Sequence, residues 1–253
     1  MNLRGWYTLL YKELLRFYKV ALQTVAAPVI TALLYLLVFA QVLASRTEVL
    51  PGVTYGQFLI PGLMMMSLIQ NAFANTSSSI IQSKVTGNLI FILLTPLSPA
   101  EFLSAFVAAA VVRGMAVALG VYVVALLFLH LPVAYPPLAL LFALIAGATL
   151  GSLGVIAGIW AEKFDQMAGF QNFIIVPLSF LSGVFYSVGH LPPLWRRLSH
   201  FNPFFYMIDG FRYSFFGVSD ASPWLSVAVS LGSLVVVDTI AFVMIARGYK
   251  LRH

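Results

Sequence analysis

Six long apolar runs organise this chain, at 20–45, 55–83, 102–129, 138–160, 167–186 and 224–246; four contain no charged residue and two contain one each. The hydrocarbon core of a bilayer is about 30 Å thick and takes roughly 20 apolar residues per helix. Each run is therefore read as a membrane span. Of the 253 residues, 61% are hydrophobic and only 9% charged, against roughly 25% charged in a typical soluble domain. Six crossings with short loops use the length, leaving no room for a soluble domain beside them. The expected fold is all-α and membrane-embedded, one transmembrane domain over 1–253.

The segments between the runs add detail. Residues 1–19 suit an interfacial helix, with Arg4, Thr8, Lys12, Arg16 and Lys19 on one face and Leu3, Trp6, Tyr7, Leu10, Leu14 and Phe17 opposite. Pro28, Pro61 and Pro177 fall inside runs, which membrane helices tolerate because neighbours re-satisfy the freed carbonyls. The 84–99 segment is bounded by Gly87, Pro96 and Pro99 and holds an apolar helix candidate over 88–94, too short to cross. A turn is expected at 132–137, and Glu162, Lys163 and Asp165 mark another loop. The 189–217 stretch, with Pro192, Pro193 and Pro203, is too polar for a span and too aromatic for a free loop. It is read as two short re-entrant or interfacial helices.

Six spans place both termini on one side. That side carries Arg4, Lys12, Arg16, Lys19, Lys84, Lys163, Arg247, Lys250 and Arg252, against Arg46, Arg196, Arg197 and Arg212 on the other. Lysine and arginine accumulate on the cytoplasmic side, so both termini are expected in the cytoplasm. The net charge of +6 is assigned to lipid headgroups rather than to nucleic acid. With no cysteine, disulfides and thiolate metal sites are excluded. The N-terminus interleaves charged and apolar residues, so no cleavable signal is expected there.

Catalytic signatures are missing. There is no G-x-x-x-x-G-K-[ST] phosphate loop, no HExxH and no GxSxG, so the chain is expected to be neither an ATPase nor another enzyme, with no metal of its own. Two charges sit inside runs, Arg113 and Asp238, each costing about 2.5–3.5 kcal/mol unless partnered or hydrated. Arg113 lies roughly 18 Å beyond Glu101 and Asp238 roughly 13 Å before Arg247, so they either pair between the third and sixth spans or each satisfy a nearby polar group. Gly147, Gly151, Gly154 and Gly158 share one helix face and predict close packing, within the subunit rather than across a dimer. Met64 to Met66 are expected to be ordinary packing, and Asn75 to Ser79 to bond back onto their own helix rather than wet a pathway. His190, His200, Arg196 and Arg197 suit headgroup anchoring, and Asp209 with Arg212 has the spacing of a local ion pair.

Four stretches carry a resemblance: the amphipathic start; YGQFLIPGLMMMSLIQNAFANTSSSI; LLTPLSPAEFL; and LSGVFYSVGHLPPLWRRLSHFNPFFYMIDGFRY. With these the chain resembles the type-2 ABC transporter permeases, in their YadH-like branch, a family of drug, glycan and lipid exporters. The resemblance implies a homodimer bound to two separate ABC ATPase subunits, which would hold the ATP and Mg. It implies a coupling helix within 84–95, with Lys84, Asn88, Phe91, Leu94 and Thr95 as contact residues, although NLIFILL lacks the charges such segments often carry. The first, second and fifth spans would border the pathway, with Met65, Asn71, Asn75, Phe173 and Phe180 along it. Pro177, Gly183 and Phe185 would form the extracellular closure. The expected setting is a bacterial inner membrane and the expected cargo an amphiphile. From the residues alone, an ion-coupled transporter and a non-transporting scaffold remain alternatives.

Overall fold

The structure, a computed structural model, describes residues 3–43, 49 and 52–250. The described residues fold into helices joined by short turns: α1 (Leu3–Lys19), α2 (Ala21–Leu43), α3 (Tyr55–Val85), α4 (Leu89–Leu93), α5 (Pro99–Ala125), α6 (Pro136–Trp160), α7 (Phe164–Phe170), α8 (Val176–Phe180), α9 (Pro193–Phe201), α10 (Pro203–Phe216) and α11 (Pro223–Ala246). Five of the described helices, α2, α3, α5, α6 and α11, are long and apolar enough to cross a membrane. The end of the first run and Arg46 lie outside the described residues.

Local chemistry sets the helix ends. At the start of α3 the Thr54 hydroxyl accepts from the Gln57 N–H while the Gln57 side chain accepts from the Thr54 N–H, a reciprocal capping box. Ser98 and Glu101 do the same for α5, with Pro99 at its first position. Asn202 caps α10, and Gly217, at φ 71°, ends it in the left-handed conformation.

Helix α3 is the central element. Most of its residues are buried, and it packs against α5 and α6 on two sides and against α2 and α10. The glycine face of α6 explains how closely two of these helices approach. A Cβ at Gly154 would sit 2.1 Å from Thr76 Oγ1 and 2.5 Å from the Phe73 carbonyl, and one at Gly158 would sit 2.8 Å from Ile80 Cβ. Gly147 and Gly151 face Val111, Ala110 and Val107 of α5. The face therefore packs inside the subunit, as its small residues allow.

The fifth run departs from the expectation of one span over 167–186. It forms α7, a π-turn at Gln171–Ile175 and α8 in continuous succession, ending at Phe180. Pro177 has no N–H to bond the preceding turn, and the wider π-turn precedes it. Beyond Leu181 the helix cannot continue, because Gly183 takes φ 74° and the chain turns. The passage still connects opposite ends of the molecule: Glu162 bonds Lys250, beside the close of α6, while the Phe185 carbonyl accepts from Tyr55 at the start of α3. These are called the Lys84 end and the Tyr55 end below.

Two short helices do occupy 189–217, but they differ. α9 is exposed along most of its length, whereas α10 is almost wholly buried between α6, α11 and α3. A Cβ at Gly210 would collide with the Phe142 ring at 2.1 Å, so glycine is what lets α10 settle onto α6.

Candidate functional site

Between α2 and α3 lies a cavity of about 240 Å³, lined by Pro28, Thr31 and Tyr35 from α2 and Met66, Ser67, Gln70 and Asn71 from α3. Ser67, Gln70, Asn71, Ala74 and Ser78 are the half-buried residues along this part of α3. Their three- and four-residue spacing makes one stripe, polar except at Ala74, on an otherwise buried helix. Asn71 donates to the Ser67 carbonyl at 3.0 Å and accepts from Arg113 Nη2 at 3.3 Å. Met65, expected on the path, is 0% exposed and belongs to the core; its neighbour Met66 lines the cavity. Consecutive helix positions point about 100° apart, so one residue of register decides which of them faces the opening.

At the Tyr55 end the chain after α8 is held from several sides. Tyr55 Oη donates to the Phe185 carbonyl at 3.0 Å, and Arg212 Nη2 donates to the Gly183 carbonyl at 2.8 Å. Arg212 is 1% exposed and stacks over Phe58, 3.7 Å from the ring centroid. Asn202 Nδ2 donates to the Leu178 carbonyl at 2.7 Å and to Ser182 Oγ at 2.9 Å. A Cβ at Gly62 would approach the Val184 carbonyl to 2.9 Å, so α3 lies directly against this turn. Phe185 stacks on Phe180 at 5.3 Å and meets Tyr35 edge-on at 5.2 Å, which joins the turn to the cavity wall. Of the residues expected here, Gly183 and Phe185 are in the turn; Pro177 lies before it, exposed, on α8. Phe173, on the π-turn, is 83% exposed and does not meet the cavity lining.

The expected Asp209–Arg212 ion pair does not form. Asp209 instead accepts from the backbone N–H groups of Asp220 at 3.0 Å and Ala221 at 2.9 Å, pinning the entry to α11, while Arg212 turns to Gly183. The fixed path of the chain after α10 brings those two donors onto the carboxylate.

At the Lys84 end, α4 displays its apolar side chains. Phe91 is 68% exposed and Leu94 76%, whereas Leu89 is buried and anchors the helix. Asn88 donates to Thr86 Oγ1 at 3.1 Å, and Thr95 bonds back to the Ile92 carbonyl. Lys84 does not project with them: its ammonium donates to the carbonyls of Ile159 and Ala161, both at 2.7 Å. Those carbonyls close α6 and lack helical donors. Nearby, Lys250 bonds Glu162 at 2.8 Å, and that hydrogen bond raises the Lys250 pKa.

The two intramembrane charges are not a pair. Arg113 bonds Asn71 and Asp238 accepts from Ser152, so each takes the neighbouring polar group. The sequence reading missed Glu13, the buried centre of the contact that α1 makes with α3. Glu13 accepts from Lys12 at 3.0 Å, Arg16 at 3.3 Å and Ser79 at 2.8 Å. Arg16 continues to Ser78 at 3.1 Å and to Asn75. Tyr7, Tyr11 and Tyr18 point away instead. An acid three residues before Arg16 in an otherwise basic helix was the signal available. Within Asn75 to Ser79, Ser77 bonds back to the Phe73 carbonyl and Ser78 to that of Asn75 as expected, whereas Thr76, 3.4 Å from the Phe73 carbonyl, also reaches the Gly151 carbonyl at 2.7 Å, and Ser79 reaches Glu13. Among the described residues no group of three or more acidic or histidine side chains is placed to hold a metal.

The family described as ABC-2 type transporter matches residues 4–216. The chain is 38% identical over 242 residues to the inner membrane transport permease YadH of Escherichia coli (strain K12), covering 95% of this chain and 94% of that protein. It is 25% identical over 248 residues to nodulation protein J of Rhizobium leguminosarum bv. viciae, covering 95% and 92%. With nodulation protein J of Rhizobium meliloti (strain 1021) the identity is 24% over 244 residues, covering 94% and 90%.

Proposed function

This chain belongs to the ABC-2 type transporter family, and from that premise we propose that it is the membrane permease of an ATP-driven exporter of amphipathic substrates. A separate ABC ATPase supplies the energy and holds ATP and Mg; two permeases and two ATPases form the working complex. Both termini are cytoplasmic, the α7–π-turn–α8 passage counts as the sixth crossing, and the Gly183–Phe185 turn is the outer closure.

One observation carries this reading. The buried helix α3 runs from Tyr55, bonded to the closure turn, to Val85, which the three residues 86–88 separate from α4. A helix of this length spans about 46 Å, and a close-packed rod transmits displacement rather than absorbing it. Approach of two ATPases against Phe91 and Leu94 would therefore shift the Tyr55 contact at the far end. The α2–α3 cavity, its polar stripe and the Tyr35–Phe185 contact lie along the same helix, as a path beside a lever. The coupling cannot exceed the difference in ATP affinity between the two states.

The test is purification of the tagged permease from its native membrane in nanodiscs, with mass spectrometry and an ATPase assay. An ABC ATPase is expected to co-purify with the unaltered chain. Phe91→Asp puts a charge on the exposed face of α4 and is expected to release that subunit or to remove stimulated hydrolysis. If no ABC ATPase is recovered, the exporter reading fails and a gradient-driven transporter takes its place.

A further inference from the structure

Arg113 is poorly compensated for a charge inside a membrane span. Its guanidinium makes one hydrogen bond, to the neutral amide of Asn71 at 3.3 Å, and its buried Nε makes none to the protein. No carboxylate stands within salt-bridge distance of it among the described residues. The acids that might serve are engaged elsewhere, Glu13 with Arg16, Lys12 and Ser79, and Asp238 with Ser152. The charge that does act on Arg113 is that of Arg16, of like sign. Beside them Asn75 is 0% exposed, yet its Nδ2 has no acceptor. Two buried donors and two cations thus converge with a single carboxylate between them, where an uncompensated charge is costly.

Asn71, which holds Arg113, also lines the α2–α3 cavity, whose other walls include Ala27, Pro28, Leu63 and Met66. From there the outward face of α2, with Ile30, Leu34 and Leu37 exposed, offers an apolar track. The layout is a cationic, donor-rich pole against an apolar wall, complementary to an anionic head on an apolar tail. Arginine's planar fork suits a phosphate oxygen pair better than a point charge does.

We propose that Arg113, with Arg16, Asn71 and Asn75, forms a binding site for the phosphate head of a membrane amphiphile beside the α2–α3 cavity, which Asn71, alone of the four, lines. This rests on the permease reading for its meaning as a cargo site, while the binding itself does not depend on that reading.

The probe is phosphatidic acid titrated against the purified permease alone in phosphatidylcholine nanodiscs, with binding followed by native mass spectrometry. Phosphatidic acid is expected to bind and added phosphatidylcholine not to compete. Arg113→Gln is expected to weaken binding about tenfold, the loss expected for a hydrogen bond to a charged group. Asn71→Asp neutralises the arginine with an isosteric carboxylate, giving up the bond to the Ser67 carbonyl, and is the second variant should Arg113→Gln fail to fold; it is expected to weaken binding at least as much. Arg113→Lys, keeping charge without the fork, is expected to fall between. Equal binding of phosphatidic acid by the unaltered chain and Asn71→Asp, or preference for neither lipid, overturns the site. With the ATPase restored, stimulation of hydrolysis by phosphatidic acid marks the phosphate amphiphile as cargo, and binding without stimulation marks it as a resident lipid head; both uphold the site. Absence of any ATPase partner removes the exporter reading and leaves the binding result intact.

Discussion

Single side chains decide how the two ends of this protein are held. Arg212 is enclosed between Phe58 and the Gly183 carbonyl, so its loss would leave a buried acceptor unpaired. A hydrogen bond to a charged group is worth about 1.5–3 kcal/mol. Arg212→Met is expected to lower the thermal unfolding temperature and to loosen the turn. Because the chain has no cysteine, Val184→Cys gives one labelling site: its reaction with an aqueous thiol reagent should accelerate when Arg212→Met is added, and an unchanged rate would show that Arg212 does not hold the turn. At the other end Glu13→Gln leaves Arg16 without its carboxylate partner. Hydrogen exchange is expected to rise across α1 and the Ser79 turn of α3 while α6 stays protected. Uniform protection would show that α1 is held by its apolar contacts, such as Leu9, instead.

Helices meet where small residues permit it. At the crossing of α3 and α6, a methyl group on Gly154 would fall within 2.1 Å of Thr76 Oγ1, and neither helix can retreat without breaking the Thr76–Gly151 bond. Overpacking of this kind costs about 1–3 kcal/mol. Gly154→Ala is expected to destabilise by that order in thermal unfolding, whereas Gly169→Ala, whose Cβ would meet only Phe173 at 4.0 Å, should be close to neutral. Equal effects at the two positions would mean that helix propensity, not the crossing, governs both. The same scale explains α10, whose burial follows from Gly210 resting on Phe142, a contact between residues far apart in the sequence.

At the scale of the whole molecule, the topology turns on whether 162–185 crosses the membrane. Its ends are fixed to opposite ends of the fold through Lys250 and Tyr55, and the 17 continuous helical residues from Phe164 to Phe180 match the lower limit of about 17 for a span. In intact cells, Trp195→Cys is expected to react with an impermeant thiol reagent, and Glu162→Cys only after permeabilisation. Labelling of both from one side would return the chain to five crossings and place the termini on opposite faces.

The membrane setting, the positions of five long helices, the short apolar helix at α4 and the family were legible in the amino-acid sequence, whereas the break of the fifth run at Gly183 was not. Each legible feature follows from local hydropathy, from proline and glycine, or from adjacent motifs, and needs no knowledge of what lies across the fold. Met65 against Met66 was not decided at that level, because hydropathy does not fix the rotation of a helix that is apolar on nearly every side. Nor were the partners of Arg113, Asp238, Asp209 and Arg212. Charges buried in a membrane protein take whatever hydrogen-bonding partner the packed helices bring within reach, an acceptor for the arginines and a donor for the carboxylates, and only the tertiary structure places Asn71, Ser152, the Asp220 backbone and Gly183 there. Glu13 belongs to the same class: it is one acid in a basic helix until α3 sets Ser79 beside it.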